Sequence, residues 1–233
     1  MKRIMELSEQ TLGEIVSGDF RTAAIFSESG LDFCCGGNVS LSVACRNKGV
    51  DIVKVEEKIK MIEDEPVIPG QNFNEWKLDF LCDYIVNTHH VFVKKSLPGL
   101  LAYTVKIASV HAENHPELKE VERLFAKIAG ELTQHLKNEE EVLFPAIRQS
   151  VSVTSDDTRS LIISEISRMN GEHESAGGAM DRINAITDGY RVPADGCSTY
   201  QVTFKLLRQF EDDLHIHVHL ENNILFRKAL SIT

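Results

Sequence analysis

Two segments of this chain, HLKNEEEVLF at 135–144 and HVHLENNILF at 217–226, share the pattern HxxxExx[VI]LF, and both place a glutamate where a helix needs an apolar side chain. In the first, Val121, Phe125, Ile128, Leu132, His135, Glu139 and Val142 follow one another at steps of four and three, which trace one core-facing seam of a helix. In the second, Leu207, Phe210, Leu214, His217, Glu221 and Ile224 do the same. Glutamate is almost never fully buried unless paired, because a buried carboxylate costs several kcal/mol even after relaxation. Lys and Arg avoid the middle of both seams, while a histidine stands beside each glutamate, so a metal ion is the simplest partner.

Two further seams complete the pattern. Ile162, Ile166, Met169, His173, Ala176, Met180 and Ile183 form one, and Leu78, Cys82, Ile85, His89 and Phe92 the other. Each of four long helical segments, about 75–112, 117–149, 156–188 and 198–230, therefore turns one histidine inward. Short connections carrying Pro116, Pro193 and Gly196 favour an up-down-up-down four-helix bundle, and Pro98 is expected to kink the first helix. A His and a Glu four residues apart lie on one helix face, and two such pairs supply carboxylates suited to bridging metals about 3.5 to 4 Å apart. Imidazole with carboxylate suits iron, and is poor for copper(I) or a structural thiolate zinc site.

Ahead of the bundle, residues 1–62 read as a small domain of short helices: one near Leu12 to Val16, one from Arg21 to Ser29 closed by Gly30, one from Ser40 to Lys48 closed by Gly49, and a fourth capped by Asp51. Residues 63–74, with Pro66, Pro69 and Gly70 among acidic residues, read as a linker, and 75–233 as the bundle domain. Within the small domain, Asp32-Phe33-Cys34-Cys35-Gly36-Gly37-Asn38 is a tight, cysteine-bearing turn. The three remaining cysteines, Cys45, Cys82 and Cys197, read as buried or incidental thiols. His90, His111, His115, His215 and His219 lie off the seams and read as surface residues, with support of a ligand or an exit route for iron as the alternative for His215 and His219; Glu172 and Glu174 read as a solvated acidic face, with orientation of an imidazole as the alternative.

The net charge of −10 removes nucleic acid and anionic lipid from the expected partners. No signal-peptide h-region and no membrane-length apolar run stands out, and five cysteines with two adjacent do not make a secreted disulfide framework. A cytoplasmic, all-α protein is expected.

The double HxxxE with single histidines on the flanking helices resembles the hemerythrin-like fold, and the DFCCGGN segment is similar to the N-terminal signature of the Repair of Iron Centres (RIC) family. That resemblance implies two non-haem irons held by His89, His135, Glu139, His173, His217 and Glu221, with both glutamates bridging. It also implies a role in restoring iron-sulfur clusters damaged by nitrosative and oxidative stress, with damaged or apo iron-sulfur proteins as partners. Cys34 and Cys35 would handle iron, nitric oxide or electrons, within their own chain or across a homodimer. Nitric oxide reduction and the sensing of oxygen or nitric oxide are the alternative functions. Gly177 and Asn222 stand where oxygen-carrying hemerythrins are expected to have a histidine and an aspartate, which disfavours an oxygen carrier. The absence of ExxH pairs from the seams disfavours ferritin-like storage.

Overall fold

The computed structural model describes residues 6–63, 72–151 and 155–232, and these are mostly helical, the sole β feature among them being an isolated bridge between Thr11 and Ser40. Most of the expected linker falls on residues 64–71, outside the described residues. Two compact units divide the chain elsewhere. One comprises the described residues up to Leu81 together with Ile216–Ile232, and the other Cys82–His215. The last helix thus belongs to the bundle in its first half and to the small domain in its second.

In the first unit, α1 (Leu12–Gly18), α2 (Thr22–Glu28), α3 (Leu41–Lys48) and α4 (Ile52–Glu63) lie where the turn residues place them. Thr11 and Glu14 make a reciprocal capping box at the start of α1. Gly30 and Gly49 adopt the left-handed conformation that ends a helix, at φ of 65° and 67°. Asp51 caps α4 by accepting a hydrogen bond from Val53 N–H at 3.1 Å. Leu12, Val16, Phe26, Leu41, Val55 and Ile59 are among the buried apolar residues of this unit.

The second unit is the helical bundle. Its helices are α6 (Val91–His111), which follows α5 (Leu78–Ile85), then α7 (Glu117–Asn138) continued by α8 (Phe144–Ser150), α9 (Asp156–Ile186), and α10 (Ser198–His219) up to His215. α7 packs against both α6 and α9, and Phe125 of α7 meets Phe210 of α10 edge to face at 5.4 Å. α6 runs through Pro98 without a break. Pro98 is exposed, as is Lys94, the residue whose carbonyl lacks the usual N–H partner. No described helix is long and apolar enough to cross a membrane.

The helices are interrupted by wide π turns at Val86–His90, Glu139–Leu143 and Leu220–Leu225, the last leading into α11 (Phe226–Ile232). Such turns insert one residue into the helical repeat and occur often at functional sites. Their effect on the seams is direct. Phe92 and Val142, which a constant 3.6-residue period turns inward, are half-buried and exposed respectively, and their successors Val93 and Leu143 take the core positions instead.

Candidate metal centre

Within the bundle unit, His135, Glu139 and His173 bring ligand atoms within 4.8 Å of one another, all buried. The Nε2 atoms of His135 and His173 lie 3.1 Å apart, and His135 Nε2 is 3.2 Å from Glu139 Oε2. Glu139 opens a π turn and is fully buried, and its second imidazole neighbour is His90, whose Nε2 is 3.4 Å from Glu139 Oε2.

His90 is thus a correction to the surface position expected of it. The turn Val86–His90 carries two consecutive histidines inward, and His90 also stacks on Phe144 of the LF dipeptide, ring centroids 5.6 Å apart. His89, the expected ligand, is buried too, but its Nδ1 bonds Asp213 Oδ1 at 2.9 Å and it is not among the residues gathered around Glu139. A signal for this was present in the sequence. Counting forward from Leu78 by fours and threes reaches His89 and Phe92, whereas counting back from Ile107 through Thr104, Leu100, Leu97 and Val93 reaches His90. The one-residue disagreement marks the inserted residue.

Carboxylates hold the outer nitrogen of these rings. His90 Nδ1 bonds Glu140 Oε1 at 2.7 Å and His135 Nδ1 bonds Glu172 Oε2 at 2.6 Å. Glu172 is in turn held by Arg168 Nη1 at 2.9 Å, so it orients an imidazole rather than lying on a purely solvated face. A carboxylate on Nδ1 fixes the tautomer that leaves Nε2 as the metal-binding atom and makes the ring a better donor.

Within the first unit, Glu221 lies fully buried in the third π turn, with Oε1 3.0 Å from Nε2 of His217, itself buried. The cysteine turn packs on this same stretch of its own chain. Asp32 accepts hydrogen bonds from the N–H groups of Cys34 and Cys35, each at 3.0 Å, and of Gly36 at 2.8 Å. The two thiol sulfurs are 3.8 Å apart, and Cys34 Sγ is 3.2 Å from Asp32 Oδ1. The neighbouring Cys35 thiol, burial and the Asp32 carboxylate push the Cys34 thiol well above its ordinary range, so it is a protonated thiol at neutral pH.

Asn223 donates to the carbonyls of Phe33 at 3.0 Å and Cys34 at 3.3 Å. His219, expected at the surface, is fully buried, with Phe33 edge-on at 5.6 Å. Burial lowers its pKa to about 4, which keeps the ring neutral and lets Nδ1 accept from Asn223 at 3.1 Å.

The other off-seam histidines are half-buried: His215 near Asp181 and Glu211, His115 on Asp195 at 3.0 Å, and His111 with Nε2 3.2 Å from Cys197 Sγ. Cys45 and Cys82 are buried as expected, but Cys197 is exposed at the start of α10. The backbone N–H of Tyr200, then His111, and then the N–H of Thr199 lower its pKa to about 7. Its alkylation rate, followed by mass spectrometry, is expected to rise with a midpoint near pH 7. His111→Ala should move that midpoint toward the usual thiol value of about 8.5. An unchanged midpoint would contradict the pairing.

A helical bundle with inward histidines around a buried glutamate, two of those histidines braced by carboxylates, defines a hemerythrin-type cation-binding protein. Residues 83–229 match the hemerythrin HHE cation-binding domain, and the chain belongs to that family. Residues 8–63 match ScdA_N, a domain of unknown function. Over nearly its whole length the chain is similar to proteins named iron-sulfur cluster repair protein. ScdA of Staphylococcus haemolyticus is 32% identical over 96% of this chain and 99% of its own. YtfE of Enterobacter sp. (strain 638) is 30% identical over 97% and 99%, and YtfE of Musicola paradisiaca 32% over 97% and 98%.

Proposed function

We propose that this chain is an iron-sulfur cluster repair protein that carries two non-haem irons and donates iron to damaged or apo iron-sulfur proteins, in the cytoplasm and under nitrosative or oxidative stress. The proposed ligands are His90, His135, Glu139 and His173 of the bundle unit, with His90 replacing the expected His89, and His217 and Glu221 of the first unit. The family supports a cation and the relatives' names support repair. The observation that bears most weight is the donor set at Glu139: a fully buried carboxylate whose ion-pair neighbours are the imidazoles of His90 and His135. Hard carboxylate with borderline imidazole is the ligand field iron accepts.

The residues of this chain have separable roles. Glu140 and Glu172 hold His90 and His135 through Nδ1. Glu139 and Glu221 would offset part of the positive charge of the bound cations, and the apolar seams would exclude water from them. Iron here is cargo, and what it supplies to an acceptor is the metal for rebuilding a cluster.

Two experiments test this. His90→Ala is expected to lower iron per chain sharply, while His89→Ala, which removes a ring bonded to Asp213, leaves most of it. The reverse ranking in elemental analysis would return the ligand to His89. Iron-loaded protein mixed without oxygen with an apo iron-sulfur acceptor is expected to lose iron as the acceptor regains its cluster absorbance. Iron that stays with the protein while the acceptor remains apo would rule out donation.

A further inference from the structure

The cysteine turn and the second HxxxE motif meet at one side chain, Asn223. Its carboxamide donates to the carbonyls of Phe33 and Cys34, and space is kept for it by glycine. A Cβ on Gly37 would stand 2.7 Å from Asn223 Oδ1, and a Cβ on Gly13 would overlap that same oxygen. The second glycine of the CCGG run and the second asparagine of ENN are two halves of one contact. Two backbone bonds, Gly13 N–H to Gly37 O at 2.8 Å and Leu12 N–H to Val39 O at 2.9 Å, tie the exit of the turn to α1. Arg227 reaches Asn38 Oδ1 at 2.7 Å from one helical turn further on.

Asn223 stands in the wide turn Leu220–Leu225, two residues after Glu221. A π turn and a regular α-helix are the two backbone arrangements open to such a segment. Losing its inserted residue to become ordinary α-helix would rotate the downstream residues by about 100°. Asn223 would then no longer point at the Phe33 and Cys34 carbonyls. Whatever holds Glu221 in place therefore also holds the turn, and with it the cysteines.

We infer that Asn223 is a positioning residue that couples metal occupancy at Glu221 to the conformation of the Cys34–Cys35 turn. With metal on Glu221 the wide turn is fixed and the cysteine turn is clamped shut over Cys34; with the metal gone the clamp loosens and the thiols open. This rests on Glu221 being a metal ligand, as proposed above. It gives the protein a thiol pair that reports whether its iron has left. The coupling is reciprocal, so modifying the thiols must also weaken metal binding.

The test uses full-length protein with Cys197→Ser, which removes the exposed thiol from the signal. Alkylation rates of Cys34 and Cys35 are read by peptide mass spectrometry on iron-loaded and chelator-stripped samples, and iron per chain is measured on each. The expected result is faster labelling of stripped protein by about fivefold or more, the lower end of typical allosteric couplings. In Asn223→Asp, which keeps the size but cannot donate to two carbonyls, loaded and stripped protein should label alike, and as fast as stripped wild type. Equal rates in loaded and stripped wild type, with iron bound normally in the loaded form, would overturn the coupling and leave the iron site standing. A wild-type difference that survives intact in Asn223→Asp would overturn the role of Asn223. Should the variant fail to fold, the wild-type comparison alone still decides whether the coupling exists. If the protein takes up no iron, both the coupling and the iron site fail.

Discussion

Glu139→Ala is expected to leave the helices intact and to abolish most iron binding. Glu139 touches His135 at 3.2 Å and His90 at 3.4 Å, so its carboxylate is the common neighbour of imidazoles from two helical segments. Loss of a group that merely orients a metal ligand costs about 10- to 100-fold in affinity, and loss of the shared carboxylate should exceed that. The fold should tolerate the change, because removing a buried carboxylate also removes its desolvation cost. Circular dichroism near the wild-type value, together with iron falling well below half, is the expected pair of readings. Iron retained at the wild-type level would mean that Glu139 is buried for some other reason.

Gly37→Ala is the second large effect, and it falls on stability. Its Cβ would lie 2.6 Å from the Phe33 carbonyl oxygen and 2.7 Å from Asn223 Oδ1. A backbone atom stands on one side and a doubly bonded carboxamide on the other, so neither yields without losing hydrogen bonds. Overpacking of this kind costs about 3 kcal/mol. Gly130, on the exposed side of α7 with nothing within 4 Å of a Cβ, provides the control. Gly130→Ala should stabilise by up to about 1 kcal/mol through helix propensity alone. Urea midpoints moving in opposite directions are expected. Equal tolerance of the two alanines would show that the cysteine turn is not clamped against Asn223.

Much of this fold was legible because burial and helix period are simple rules. Gly30, Gly49 and Asp51 ended or began helices where turn chemistry requires, and the seams from Val121 to Glu139 and from Ile162 to Ile183 are buried as their spacing demands. The displacements at Phe92, Val142 and His90 share one cause. A constant period carried through residues 86–90 and 139–143 selects Phe92 and Val142, and leaves His90 outside, because it cannot register an inserted residue.

His219 was missed differently. At two residues from His217 it cannot face the bundle seam, and it is buried instead by Phe33 and Phe20, which arrive from nearly 200 positions earlier in the chain. Helix arithmetic does not see such contacts. The same holds for Asp213 and Glu172, whose partners His89 and His135 lie on other helices. Cys34 illustrates a limit of motif chemistry: the motif suggests a cysteine that handles iron or electrons, whereas the adjacent Cys35, burial and Asp32 keep that thiol protonated.

If the buried histidines and glutamates exist to hold iron, counting the metal decides it. Protein purified without oxygen and freed of adventitious metal by gel filtration should contain about two irons per chain by elemental analysis, as a two-metal carboxylate centre requires. Protein that comes out without iron and takes up none when ferrous iron is added would contradict the claim, and with it the repair function that depends on the site.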